Sequence, residues 1–403
     1  MKRITAEQAI DTLLALPVAP AVETVPLAQA HGRVLAQDMA ARLAVPPFDR
    51  SPFDGYAFRG EDTAGASREN PVILTITEEI PAGTVPSLPV APGQAAKILT
   101  GGPMPLGANA TVKYEETEFT ADYVKIFEPH APWSDVVRAG EDVAVDQILV
   151  RQGDVLEPAA VGLLAGQGFA EVPVYVRPKI TVLSTGSELL QPGQSWEPGK
   201  VYNTNTPYVC GVLAQNGVDA MDGGTVADDL DAIAAKLTQA LEHSDMVITT
   251  GGASVGDYDW AVRAAEAIGA ELLFWKFAQK PGGSTMAAVK DGKLLLGLAG
   301  NPGSAALTLL RVGMPYIKKL CGRQDLHPER LVATMEKPYD KASKMPRVLR
   351  GRLLFREGRV FFSHYEGDGG GVLSSMFGCE ALGLIPADSP PVPAGEMIEV
   401  LRV

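Results

Sequence analysis

An α/β sheet unit with β-rich regions on both sides is the fold this sequence predicts, on three observations. The chain has 403 residues, more than one ordinary core holds, so about two to four domains are expected. After Arg177-Pro178, apolar strand-type runs alternate with helix-type segments as far as Lys319, the pattern of a doubly wound, mainly parallel sheet. Residues 70–130 and the stretch from Gly322 onward instead carry short strands parted by Gly and Pro turns. They read as a small all-β domain and as a small β-barrel or sandwich.

Taken in order, Thr5-Ala6-Glu7-Gln8 is a capping box, and Ala6, Ala9, Ile10, Leu13 and Leu14 then form one apolar helix face. Pro17 and Pro20 end that helix. Val34-Leu35 reads as a strand. Pro46-Pro47-Phe48-Asp49-Arg50-Ser51-Pro52-Phe53-Asp54-Gly55-Tyr56-Ala57 reads as a stiff loop carrying Asp49 and Asp54. Chemistry alone leaves that loop either a structural turn or part of a site. Strand runs at Val72–Ile76, Ala96–Leu99 and Val124–Phe127 follow, with a glycine turn at Thr100-Gly101-Gly102-Pro103. Arg138-Ala139-Gly140-Glu141-Asp142 sets charges around another glycine. A helix is expected from Glu157 to Gly166 and a strand from Ala170 to Val176.

In the α/β region the expected strands are Ile180–Leu183, a run after Gly217, Met246–Ile248, Leu272–Phe274 and Leu294–Gly297. The expected helices run from Thr206 to Gln215, Asp228 to Leu241, from Tyr258 onward, and Ser304 to Lys319, with Ser304 a candidate N-cap. Sheets of this class bind ligands at the carboxyl ends of their strands. Three strand-end loops are equipped for that. They are Ser184-Thr185-Gly186-Ser187-Glu188; Thr249-Thr250-Gly251-Gly252-Ala253-Ser254-Val255-Gly256-Asp257-Tyr258-Asp259-Trp260; and Ala299-Gly300-Asn301-Pro302-Gly303-Ser304. Glycines let backbone amides approach an anion, with a helix N-terminus behind them. Glu188, Asp257 and Asp259 in the same loops suit a phosphate ligand bridged by a divalent metal. Lys276 and Lys280 supply positive charge beyond the strand at 272–274.

Composition narrows the classes. Hydrophobic content of 46% and charged content of 21% are those of a globular protein. A net charge of -13 argues against nucleic acid as partner. Cys210, Cys321 and Cys379 are far apart and form no CxxC pair, so they read as small core residues in a reducing, cytoplasmic compartment. No membrane-length apolar run and no signal-peptide core is present. His31, His130, His243, His327 and His364 lack zinc spacing, and neither a GxSxG elbow nor a dinucleotide GxGxxG occurs. Carboxylates are then the main candidate metal ligands, which favours a hard ion such as Mg²⁺.

These loops together resemble the molybdopterin molybdenumtransferase family, which includes the E domain of gephyrin. The resemblance covers essentially the whole chain. It rests on Pro47-Phe48-Asp49 with Ser51 and Asp54-Gly55-Tyr56-Ala57, on Thr100-Gly101, and on Gly140-Glu141-Asp142. It continues through Ser184-Thr185-Gly186 with Glu188-Leu189, Gly251-Gly252 with Ser254-Val255-Gly256, and Gly300-Asn301-Pro302. It implies insertion of molybdenum from molybdate into adenylylated molybdopterin, with Mg²⁺ and release of AMP. The implied partners are a second copy of the chain, an upstream adenylyltransferase and recipient apo-molybdoenzymes.

It also implies four domains: a connecting domain (21–44 and 135–170), an inserted β domain (45–134), a molybdopterin-binding α/β domain (1–20 and 171–321) and a C-terminal β-barrel (322–403). The site would be a cleft completed by the partner subunit, with Asp54 and Arg350 reaching it in trans. Carried over by position, Asp54, Asp142, Glu188, Asp228 and Asp259 become candidate catalytic residues, and Glu188 and Asp259 the metal ligands. Thr100, Thr185, Gly186, Gly251, Gly252, Ser254, Gly256, Lys276, Lys280, Asn301, Pro302 and Arg350 become candidate substrate-binding residues.

Four stretches depart from the family pattern, the first being Asp49-Arg50-Ser51-Pro52-Phe53-Asp54 where the family usually reads Asp-Asn-Ser-Ala-Met-Asp. Gly283 replaces a lysine, Ala299 replaces a proline, and Gly369-Gly370-Gly371 replaces a serine–histidine turn. Those departures motivate a second reading, a divergent dimer that holds pterin or nucleotide, or scaffolds partners, without turnover. A related nucleotide-processing enzyme is a third, disfavoured by the flanking β domains.

Overall fold

Lys179–Thr185 and Met246–Thr250 are the two strands around which the α/β sheet is built. Every residue of the second, and all but the first of the first, is buried. Such runs suit a parallel strand covered on both faces. In this computed structural model, which describes residues 4–252, 260–367 and 369–403, the chain forms two units. One comprises Met1–Gln37, Gln152–Glu157 and Glu171–Val403; the other comprises Asp38–Arg151 and Pro158–Ala170.

In the first unit, six strands lie in the order Asp219–Val226, Lys179–Thr185, Met246–Thr250, Lys293–Leu298, Met286–Lys290, Glu271–Trp275. The first four are parallel, in registers such as Ile180 with Met246 and Ile248 with Leu296. The last two pair antiparallel. The strand Met286–Lys290 escapes the sequence reading because Met286-Ala287-Ala288 lacks β-branched residues. Its signal was the turn: Asp291 and Gly292 both adopt positive φ (51° and 78°), as a two-residue hairpin requires.

Side chains alternate between two cores. Ile180, Val182, Ile248, Leu294 and Leu296 face Ala9, Leu13, Val209, Leu213, Leu309 and Tyr316. Leu183, Val247 and Leu295 face Ile233, Leu237, Ala261 and Ala264. The N-terminal helix Ala6–Leu14 therefore packs on the same sheet face as Asn205–Gln215. Its capping box forms as expected, with Gln8 N–H donating to Thr5 Oγ1 (3.1 Å) and Thr5 N–H to Gln8 Oε1 (2.9 Å).

Two local expectations change. Val34 and Leu35 make only isolated bridges, to Val155 and Val174. The last helix starts at Pro302 with Asn301 as N-cap, so Ser304 lies inside the first turn and is buried. Proline at the first helical position sets the φ a helix needs and lacks only a donor the helix would leave unpaired. The C-terminal residues form a closed five-stranded barrel. Phe362 is wholly buried there between Gly351 and Gly383, whose hypothetical Cβ atoms would sit 2.7 and 2.6 Å from its ring.

In the second unit, six strands follow the order Ala110–Lys113, Gly55–Phe58, Gln94–Ile98, Val72–Ile80, Tyr123–Ile126, Thr117–Phe119. Tyr56, Phe58, Leu74, Val112, Val124 and Ile126 fill the core. The stretch Gly55–Phe58, read from sequence as the end of a loop, is a buried central strand. Glycine is needed at 55 because a Cβ there would lie 1.8 Å from Val112 O.

Candidate functional site

The four mutually parallel strands of the six-stranded sheet end at one cavity of about 1100 Å³. Thr185, Gly186 and Glu188 line it after one strand, Asp228 after a second, Gly251 and Gly252 after a third, and Asn301 and Pro302 after the fourth. Lys276 and Lys280 line the same cavity. Ten of the residues nominated by sequence therefore converge on one space. Asp257 and the nominated Ser254, Gly256 and Asp259 lie outside the described residues.

Close backbone approach makes the glycines necessary. A Cβ on Gly251 (φ 93°) would stand 2.3 Å from Thr185 O, and one on Gly300 would stand 3.4 Å from Gly251 Cα. Three strand-end loops thus touch one another. The Glu188 carboxylate folds back over Gly186, where a Cβ would meet its oxygens at 2.6 and 2.7 Å. Asp228 accepts from Ser187 N–H at 3.4 Å, which keeps it beside the same turn.

Beneath lies a buried polar floor. Ser184 Oγ is 2.7 Å from Thr206 Oγ1 and 2.9 Å from Thr250 Oγ1, and Asn203 Nδ2 donates to Ser184 Oγ and Thr206 Oγ1, each at 3.0 Å. Asn205 Nδ2 donates to Gly300 O (2.9 Å). Thr185 Oγ1 is buried with no hydrogen-bond partner among the described residues, and a Cβ on Gly251 would come within 2.9 Å of it.

The two lysines are held by their backbones. Lys276 adopts φ 66°, a left-handed conformation uncommon for a residue with a side chain. Its N–H donates to Thr285 O (2.8 Å), and its ammonium lies 3.8 Å from the centre of the Trp275 ring. Lys280 N–H donates to Pro346 O (2.9 Å), and its carbonyl accepts from Val348 N–H (3.0 Å). Gly283, where the resemblance leads one to expect lysine, would place a Cβ 2.5 and 2.6 Å from the carbonyl oxygens of Phe277 and Gln279. The backbone here has no room for a side chain.

Arg350, expected to serve the partner subunit's cleft, is held within its own chain. It is 2% exposed and does not line the cavity. Its guanidinium donates to Val372 O (2.7 Å), Gly369 O (3.0 Å) and Gly367 O (3.1 Å) of its own chain. A Cβ on Gly303 would stand 2.4 Å from Arg350 Nη1. Arg350 therefore braces the glycine turn, whose Gly370 O accepts from Ser304 N–H (2.9 Å) and whose Gly370 and Gly371 line the cavity.

On the second unit, Asp54 Oδ1 accepts from both the N–H and the hydroxyl of Thr100, at 2.7 Å each. Those bonds hold the Asp54 carboxyl below its usual range. Asp142 N–H donates to Val45 O (3.0 Å), next to the proline-rich loop. That loop is laced further by Gly101 N–H to Ser51 O (2.9 Å) and by Ala139 N–H to Asp49 Oδ1 (2.7 Å).

Sequence reasoning missed Tyr202, Asn203, Asn205, Gln279, Trp260 and Met345 as lining residues. The polar run Asn203-Thr204-Asn205-Thr206 before a helix was the available signal for two of them. The cysteines are free, and burial pushes the Cys321 thiol up to about 12, in keeping with core residues. No group of three or more His, Cys, Asp or Glu able to hold a metal occurs among the described residues. No helix among them is long and apolar enough to cross a membrane.

Three family models match nearly end to end: the MoeA N-terminal region (domain I and II) over residues 4–168, a probable molybdopterin binding domain over 181–319, and the MoeA C-terminal region (domain IV) over 332–403. A molybdopterin molybdenumtransferase of Staphylococcus aureus is 34% identical over 384 residues, covering 95% of this chain and 91% of the relative. One of Staphylococcus epidermidis is 30% identical over 398 residues, covering 99% and 95%. The crystal structure of the molybdopterin biosynthesis moeA protein of Pyrococcus horikoshii OT3 superposes with a TM-score of 0.85 at 30% identity, over 100% of both chains. With relatives of this identity along nearly the whole length, the chain belongs to the MoeA family of molybdopterin molybdenumtransferases.

Proposed function

We infer that this chain transfers molybdenum from molybdate to adenylylated molybdopterin and releases AMP. The observation that carries this reading is the meeting of Lys276, Lys280 and the glycine turns at Gly186, Gly251 and Gly252 in one strand-end cavity of about 1100 Å³. A space of that size takes a large, phosphate-rich ligand. The two lysines offset its charge, and amides freed by the glycine turns accept its oxyanions.

Glu188 and Asp228, with the Thr185 hydroxyl that has no hydrogen-bond partner among the described residues, line the same cavity and offer an all-oxygen donor set that fits Mg²⁺. In this reading Glu188 and Asp228 hold the ion and Asp259 completes the set. When bound, Mg²⁺ supplies polarisation of the phosphoryl group and neutralisation of developing charge. The chain's own residues orient the phosphoric anhydride between AMP and the pterin phosphate, and no covalent nucleophile on the protein is required. Asp54, kept ionised by Thr100, together with Asp142, positions ligand or water. The four-domain division, a homodimeric assembly and a cytoplasmic location belong to the same proposal.

Purified protein given adenylylated molybdopterin, Mg²⁺ and molybdate is expected to release AMP and to activate a molybdenum-free apoenzyme. One observation favours a second reading, a divergent binder or scaffold: the cavity wall at Gly283 has no room for the lysine that the resemblance leads one to expect. Ligand binding without AMP release, where a working family member turns over, selects that reading.

A further inference from the structure

Arg311 is a buried cation that does not line the ligand cavity. It sits in a widened helical turn, Leu309–Gly313, and is 6% exposed. Its Nη2 donates to Glu7 Oε1 (2.7 Å) on the N-terminal helix, and its Nη1 donates to Gln279 Oε1 (2.7 Å). Gln279 is itself buried, and its Nε2 donates to Pro281 O (2.9 Å). A guanidinium can only donate, so it fixes the amide with oxygen toward Arg311 and nitrogen toward Pro281. An unbroken chain of hydrogen bonds thus runs from Glu7 through Arg311 and Gln279 to the segment that carries Lys280.

Other bonds secure the residues on either side of Pro281. Lys280 is tied through both its backbone groups to Pro346 and Val348. Gly282 O accepts from Thr308 Oγ1 (2.8 Å) and Thr285 Oγ1 (3.1 Å). The carbonyl between them is held by Gln279, whose orientation depends on a charge in turn held by Glu7. Glu7 and Arg311 face a separate cleft of about 300 Å³ and do not themselves line the ligand cavity, which Gln279 does.

We propose that Glu7, Arg311 and Gln279 are positioning residues that set the place of Lys280 in the ligand cavity. This rests on the reading of that cavity as the ligand site. Glu7→Ala and Gln279→Met are expected to raise KM for adenylylated molybdopterin roughly tenfold, with kcat changed less, as a small misplacement of a binding group does. The double variant is expected to be no worse than the worse single, because both break one chain. Glu7→Gln, which keeps the acceptor, restores most of the affinity.

Hydrogen exchange without ligand provides a readout independent of turnover. Glu7→Ala should speed exchange at Phe277 and Lys280, whose N–H groups donate to Gly283 O and Pro346 O, and leave Lys179–Thr185 protected. Effects that multiply in the double variant, or unchanged exchange at Phe277 and Lys280, overturn the positioning role. Absent AMP release by the unsubstituted protein would instead count against the function, and the exchange result would still decide the positioning.

Discussion

Thr100 gives both of its donors to one oxygen of Asp54, and the two bonds set that acid apart electrostatically. The backbone bond is the larger cause of the lowered pKa and the hydroxyl bond the next, while slight desolvation opposes them. The folded value lies below the unfolded one, so whatever stability the pair gives is present above the ordinary carboxylate pKa. It is lost as pH falls through the depressed folded value. Thr100→Val keeps the N–H and removes the hydroxyl. The Asp54 midpoint followed by carboxyl-carbon NMR should rise but stop short of the ordinary value.

Gly283 supports a second prediction at this scale. With two carbonyl oxygens within 2.6 Å of a Cβ, Gly283→Lys should cost about 1–3 kcal/mol in denaturant unfolding rather than add an anion contact. Which residue types would meet at the strand ends was legible from glycine and carboxylate placement. That Arg350 would turn inward was not. Sequence names a charge, but whether it faces ligand or braces a turn depends on the carbonyls of 367, 369 and 372.

The N-terminal helix illustrates how an element far from the ligand contributes. Thr5→Ala removes the cap and should cost about 1 kcal/mol, measured by thermal unfolding. Leu13 is wholly buried against the sheet, and Leu13→Ala should cost about 2–5 kcal/mol. Glu7 on this helix is drawn upward by partial burial. Its own backbone N–H, the Arg311 charge and the Thr5 and Arg311 hydrogen bonds together outweigh that and hold it below its usual value. Its tie to Arg311 therefore stands above the ordinary carboxylate range and weakens as pH falls through the lowered value.

Helices were legible because their apolar period and caps are local. The strand Met286–Lys290 was not, since alanine carries no strand preference and only the Asp291-Gly292 turn marked the reversal. Gly55–Phe58 was masked by the prolines before it, and its pairing with Val112 depends on a partner far along the chain.

For the whole molecule, a net charge of -13 and a cavity for an anionic ligand are reconciled by placement. Lys276 and Lys280 stand on the one strand-end cavity, while the remaining charge is spread over the chain. The family models reach from residue 4 to 403, so the activity is proposed for the chain as a unit. The most direct measurement is molybdate-dependent AMP release from adenylylated molybdopterin by the unsubstituted chain beside a Lys276→Ala, Lys280→Ala double variant of unchanged melting temperature. Release by the first is expected, with a loss of at least about 100-fold in kcat/KM in the second, two charge-assisted contacts being removed. Equal release by both would contradict the proposed function.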